Sequence, residues 1–135
     1  MSQDKIFSLP IRVYFQDTDA GGVTYHANYL NFMERARTEW LRVHGYSNAG
    51  LMKEFGTVFV VRSIKLDYLK PALLDDMLEV TAQIKDVGRS RISLLQTVRR
   101  GEEVLTEAEV HLVCVSLENF RPVSVPELLR EQWKN

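Results

Sequence analysis

The chain has 135 residues, 17 of them basic and 18 acidic, for a formal net charge of −1, with 45% hydrophobic and 26% charged residues. That length suits one domain with its own core, and the near-neutral balance leaves no field of one sign to draw nucleic acid or an anionic membrane. The lone cysteine, Cys114, rules out an intrachain disulfide, and no stretch approaches the ~18 apolar residues of a membrane helix.

Residues 1–10 mix polar and apolar types without the basic start and apolar run of a signal peptide, so a soluble cytoplasmic protein is expected. No repeat, linker or low-complexity segment interrupts the sequence, which reads as one domain over 1–135. Residues 7–15 are β-branched and aromatic enough for a strand. Residues 16–26, with Asp17, Asp19, Gly21 and Gly22, have the composition of a loop with tight turns. From Asn28 the period becomes helical. Tyr29, Phe32, Met33, Ala36, Trp40 and Val43 fall on one stripe, with Asn28 as N-cap and Gly45 as the stop.

A second short helix is expected over 49–54, then strands over 59–69, 77–87, 91–100 and 104–117. The clearest is the one in which Leu78, Val80, Ala82 and Ile84 alternate with Glu79, Thr81, Gln83 and Lys85. A turn at Gly101 and Glu102 joins the last two strands, and Val104, Ala108, Val110, Leu112 and Cys114 share one apolar face. Residues 126–133 suit a closing helix. The order strand, long helix, four antiparallel strands is an α+β pattern, a sheet packed on a helix.

The loop before the long helix is the chemically informative stretch. Asp19 sits just upstream of a turn in which Gly21 and Gly22 let the backbone approach a ligand closely. A free aspartate has a pKa of about 3.9 and is ionised near neutrality. The chain then enters a helix whose first N–H groups lack intrahelical partners and carry roughly half a positive charge. Asp17 is better read as an Asx-turn or cap carboxylate. A calcium loop starting at Asp17 fails, since Gly21 and Asn28 stand where ligands are needed. His26, His44 and His111 are scattered without a cysteine pair, so no zinc site is expected.

The run Tyr14-Phe15-Gln16-Asp17-Thr18-Asp19-Ala20-Gly21-Gly22-Val23-Thr24-Tyr25-His26-Ala27-Asn28-Tyr29 resembles the signature of the 4-hydroxybenzoyl-CoA thioesterase family. The continuation Glu34-Arg35-Ala36-Arg37-Thr38-Glu39 is similar to the branch associated with the bacterial Tol–Pal envelope system. The resemblance implies a hotdog fold, a curved antiparallel sheet of about five strands wrapped around one long helix. It implies hydrolysis of an acyl-CoA thioester without a metal or redox cofactor. Asp19 would be nucleophile or general base, and the His26 backbone N–H an oxyanion donor, its side chain equally open to a structural role. One such donor is typically worth about 3–4 kcal/mol at the transition state.

Tyr25 is a candidate substrate contact. Arg89, Ser90 and Arg91 are candidates for the phosphates of coenzyme A, although the continuous basic run of the hydroxybenzoyl enzymes is missing. Glu34 reads as a polar contact or an ion-pair partner near Arg37 and Thr38. The resemblance further implies a homodimer or homotetramer with sites at the subunit interface, and acyl carrier protein is an alternative carrier. Two rival functions remain at this stage: dehydration of a hydroxyacyl thioester, and an acyl-binding or envelope-assembly partner with weak hydrolysis.

Overall fold

The computed structural model describes residues 6–134, so half of the stretch inspected for a leader lies outside it. Strand β1 (Phe7–Arg12) is followed by a 3₁₀ turn (Phe15–Asp17), helix α1 (Asn28–Val43) and helix α2 (Asn48–Phe55). Then come β2 (Thr57–Tyr68), β3 (Met77–Val87), β4 (Arg91–Arg100), β5 (Glu103–Ser116) and helix α3 (Glu127–Lys134). The strands form one antiparallel sheet in the order β1-β3-β4-β5-β2. This sheet wraps α1 and is the hotdog fold expected from the sequence.

The apolar face of β3 is buried as the alternation forecasts, although Thr81 on the other face is buried as well. Leu78, Val80 and Ala82 are completely buried against the helix while Lys85 is exposed. From α1, Phe32, Met33 and Ala36 are wholly buried, and each large side chain of this kind contributes about 1.5–3 kcal/mol. Under them lies a polar pin. The buried Gln96 donates from Nε2 to the carbonyls of Met33 and Thr81, and its Oε1 accepts from Arg37. Burial lowers the Arg37 guanidinium from its usual value, and Glu34 on the preceding turn works against that. Trp40 stacks on Trp133 of α3 with ring centroids 4.8 Å apart, which closes the helix end.

Four expectations are corrected. The first strand ends at Arg12, because the Tyr14 N–H turns back to the Asp17 carboxylate. Asn28 is the first helical residue rather than the N-cap; Ala27 holds that position without a side-chain cap. Val43 is 64% exposed, and Leu41 is buried in its place. In β5 the register slips between Val98 and Arg99 of its partner. That slip puts Leu105 in the core and leaves Val104 half-buried. The stop at Gly45 is as expected: its φ is +92°, and the N–H groups of Gly45 and Tyr46 close back on Arg42 and Leu41.

Candidate active site

The loop between β1 and α1 is a small hairpin. Thr18 and Thr24 form a bridge, and the Asp19 N–H donates to the Val23 carbonyl at 3.0 Å. At its tip the Gly22 N–H donates to the Asp19 carbonyl, with Gly22 at φ +79°, a conformation most residues avoid. The loop is fastened to the sheet by the Leu74 N–H, which donates to the Gly22 carbonyl, and by the Thr24 N–H, which donates to Ala72.

Asp17 and Asp19 divide the work. Asp17 is 5% exposed and structural. Its Oδ2 accepts from the Tyr14 N–H at 2.8 Å, its Oδ1 from the Asn28 side chain, and its carbonyl from the Tyr25 N–H. It therefore staples the loop to the first residue of α1. Asp19 is exposed; Oδ1 accepts from the Gly21 N–H at 2.9 Å, and Oδ2 has no hydrogen bond to a described residue.

The chain enters α1 through a tight turn. The N–H groups of Asn28, Tyr29 and Leu30 donate to the carbonyls three residues back, those of Tyr25, His26 and Ala27. The N–H groups of His26 and Ala27 have no partner among the described residues. The Tyr68 hydroxyl, at the end of β2, donates to the His26 carbonyl at 3.0 Å and fixes that peptide plane. Partial desolvation, and then the neighbouring Tyr29 phenol, raise the Tyr68 hydroxyl above its ordinary range, so it stays a neutral donor.

Beside these groups lies a cleft of about 240 Å³, lined among others by Val23, Thr24, His26, Tyr29 and Tyr68. The Thr24 hydroxyl is buried there with no hydrogen-bond partner among the described residues. Sequence reasoning missed both Thr24 and Tyr68. Thr24 lay inside the recognised run, but Tyr68 sits 42 residues away from His26 and only the fold brings them together.

Asp19 is not among the residues lining this cleft, and Tyr25 points its ring to solvent at 60% exposure. The Arg89-Ser90-Arg91 turn is at the far end of β3 from the loop. Eleven residues of strand separate them, roughly 35 Å at about 3.3 Å per residue. Arg89 is engaged structurally, its Nε donating to Ser124 at 2.9 Å, and the Ser90 carbonyl accepts from the Cys114 N–H. Arg91 is exposed. Glu34 accepts from the Thr38 hydroxyl at 3.0 Å, the polar contact expected of it. Among the described residues, no three of His, Cys, Asp and Glu stand close enough to hold a metal ion, and no helix is long and apolar enough to cross a membrane.

A hotdog sheet around one helix, with unpaired N–H groups at the helix start, defines a class, and the chain belongs to the thioesterase-like superfamily, whose model matches residues 13–133. Two particular relatives sharpen this. The acyl-CoA thioesterase YbgC of Haemophilus influenzae is 44% identical over 124 residues, spanning 92% of this chain and 91% of that one. The acyl-CoA thioester hydrolase YbgC of Escherichia coli O157:H7 is 45% identical over 130 residues, 96% of each chain. Among solved structures, the probable thioesterase from Bartonella henselae superposes with a TM-score of 0.86 at 34% identity, covering 90% of this chain and 100% of that one.

Proposed function

We propose that this chain is an acyl-CoA thioesterase that hydrolyses its substrate to a free acid and coenzyme A. The observation that carries the reading is the pair of unpartnered N–H groups at His26 and Ala27, beside the cleft at the start of α1. A thioester oxygen placed there gains backbone donors and the positive helix end as charge develops on it. Asp19, with Oδ2 unengaged, is the carboxylate that attacks the thioester carbon or takes a proton from water. His26 acts through its main chain, and Tyr25 is an exposed contact for the incoming substrate. The relatives named as acyl-CoA thioesterases support the substrate class.

The proposal includes a homodimer. β2 is an edge strand of 12 residues with Val60 and Val61 exposed, a length and composition that invite pairing with another strand. Antiparallel pairing with a second copy would set the Phe59 end of one β2 beside the Tyr68 end of the other. Each helix start would then face the neighbour's strands, and the distant Arg89-Ser90-Arg91 turn could serve a substrate through a neighbouring subunit. The cytoplasm as location, acyl carrier protein as a second carrier and an association with the Tol–Pal system belong to the same proposal. So does one domain over 1–135.

The experiment is thiol release from a panel of acyl-CoAs of different chain length and type, comparing the parent chain with Asp19→Asn. Asparagine keeps the shape and removes the charge. Hydrolysis by the parent, with a loss on the order of 100-fold or more in the folded variant, is the expected result. Equal rates would remove Asp19 from the mechanism. An inactive parent would favour the binding-protein reading, and an enoyl product would favour dehydration.

A further inference from the structure

The hairpin carrying Asp19 lies outside the five-stranded sheet, and one irregular segment, residues 69–76 between β2 and β3, holds it. The Ala72 carbonyl accepts the Thr24 N–H at 2.8 Å, Leu73 bridges to Val23, and the Leu74 N–H donates to the Gly22 carbonyl at 3.0 Å. The Ala72 N–H donates to the Tyr29 hydroxyl at 2.9 Å, which adds the first turn of α1. Three consecutive residues therefore receive both the hairpin and the helix start. The ends of the segment are held by backbone. The N–H groups of Leu69 and Lys70 share the Leu105 carbonyl, and Asp75 and Asp76 exchange hydrogen bonds with Val13.

The middle is bracketed by one cation. Arg100, at the end of β4, donates from Nη1 to Asp76 Oδ2 at 2.6 Å, and the same nitrogen stands 3.5 Å from the Pro71 carbonyl. Its Nη2 donates to Glu103 at 2.8 Å, which fixes the plane of the fork. Asp76 Oδ2 also accepts the Leu73 N–H at 2.8 Å, and the Asp76 N–H donates to the Leu73 carbonyl at 3.0 Å, closing a turn. Within that turn Asp75 has φ +72°, a conformation that a residue with a side chain holds only when its surroundings impose it. Arg100 and Asp76 are partly open to solvent, with side-chain exposures of 32% and 19%. An ion pair so exposed contributes little to global stability. Its geometry matters more: it sets where residues 72–74 stand, and misplacing a reacting group by about 1 Å costs on the order of 100-fold in rate.

We infer that Arg100 and Asp76 are positioning residues for the loop that carries Asp19. Neither lines the cleft at the start of α1. They act through residues 72–74, which pass their placement on to Gly22, Val23 and Thr24. Their role in hydrolysis rests on the thioesterase reading, and their hold on the loop does not.

The test combines amide hydrogen exchange with steady-state thiol release on the intact chain. Asp76→Asn removes the charge and still accepts the Leu73 N–H; Arg100→Gln removes the charge from the other side. Exchange at the Thr24 and Leu74 amides should speed by about ten-fold or more in each variant, with no further gain in the double variant, while Leu94 in the central strand stays protected. The kcat should fall about ten-fold with KM within about two-fold of the parent, and Tm should fall by less than about 4 °C. Arg100→Lys, which keeps a charge for Asp76, should recover most of both losses, and Arg42→Gln, on the exposed side of α1, should match the parent. Unchanged exchange at Thr24 and Leu74 overturns the inference. An intact kcat per folded chain overturns it too, as does a raised KM, which would set Arg100 against the substrate. If the parent releases no thiol from any acyl-CoA, the thioesterase reading fails, and exchange alone decides whether the pair holds the loop.

Discussion

The Tyr68 hydroxyl donates to the His26 carbonyl at 3.0 Å, tying the last residue of the edge strand β2 to the peptide that leads into α1. The same ring stands 5.1 Å from the His26 ring and 5.4 Å from that of Tyr29. Tyr29 in turn accepts the Ala72 N–H through its hydroxyl. The His26–Ala27 peptide, whose N–H is a proposed oxyanion donor, is thus held at its carbonyl by Tyr68, and Ala72 four residues further on holds the neighbouring Tyr29.

If that hold orients the oxyanion donors, Tyr68→Phe should lower kcat and leave KM nearly unchanged. One neutral hydrogen bond is worth about 1 kcal/mol, or roughly five-fold in rate. Steady-state kinetics on the best substrate of the panel measures the split. A rise in KM with kcat intact would instead make Tyr68 part of the cleft wall.

Asp17 should matter for stability more than for chemistry. Asp17→Ala leaves the Tyr14 N–H and the Asn28 amide without their acceptor in a buried place. Such a loss costs about 2–3 kcal/mol, which for a chain of this size lowers Tm by roughly 5–10 °C. Thermal unfolding by circular dichroism reads it directly. A change under 1 °C would mean that the staple is redundant.

The fold was legible wherever one face of an element decides its burial. The limits of β3 and β4 agree with the alternation to the residue, at Met77–Val87 and Arg91–Arg100. The errors come where a distant element intervenes. Leu41 is buried because α2 and β2 close over that side of α1, where it shares a small cavity with Asn48 and Phe59. No stripe within α1 announces that neighbour. Asn28 was misplaced because its amide is committed to Asp17.

The candidate site was legible as far as one loop reaches. Asp19 and His26 share a segment, so their run of residues could be read together. The Arg100–Asp76 pair could not be read, since its ends lie 24 residues apart on elements that only the fold brings together. Tyr68 was hidden for the same reason, its partner being 42 residues away.

Acid should expose the ion pairs around β5. Lys70 first, and then Arg100, hold the Glu103 carboxyl below its ordinary range. A carboxylate depressed on folding stabilises fully above its unfolded value, about 4.3 for glutamate, and loses that contribution as the pH falls through the lower folded value. The Tm difference between the parent and Glu103→Gln should therefore be largest near neutrality and shrink below about pH 4. These groups are exposed, so 1 M salt should shrink it too. A difference that holds constant from pH 7 to pH 3 would show that the glutamine acts through packing rather than charge.

Cys114 offers a test of both core and mechanism. The side chain is wholly buried in β5, and burial pushes its thiol up. A thiol so placed is a poor nucleophile, because the thiolate is the reactive form. Labelling with an aromatic disulfide should therefore proceed through opening of the fold, slowed on the order of a thousand-fold against the denatured chain. In denaturant one thiol per chain should react. Thiol-modifying reagents should leave thioester hydrolysis untouched over the same interval, as expected when the attacking group is a carboxylate or a water rather than a cysteine. Fast native labelling that abolishes hydrolysis would place Cys114 within reach of the substrate and would oblige the Asp19 mechanism to be redrawn.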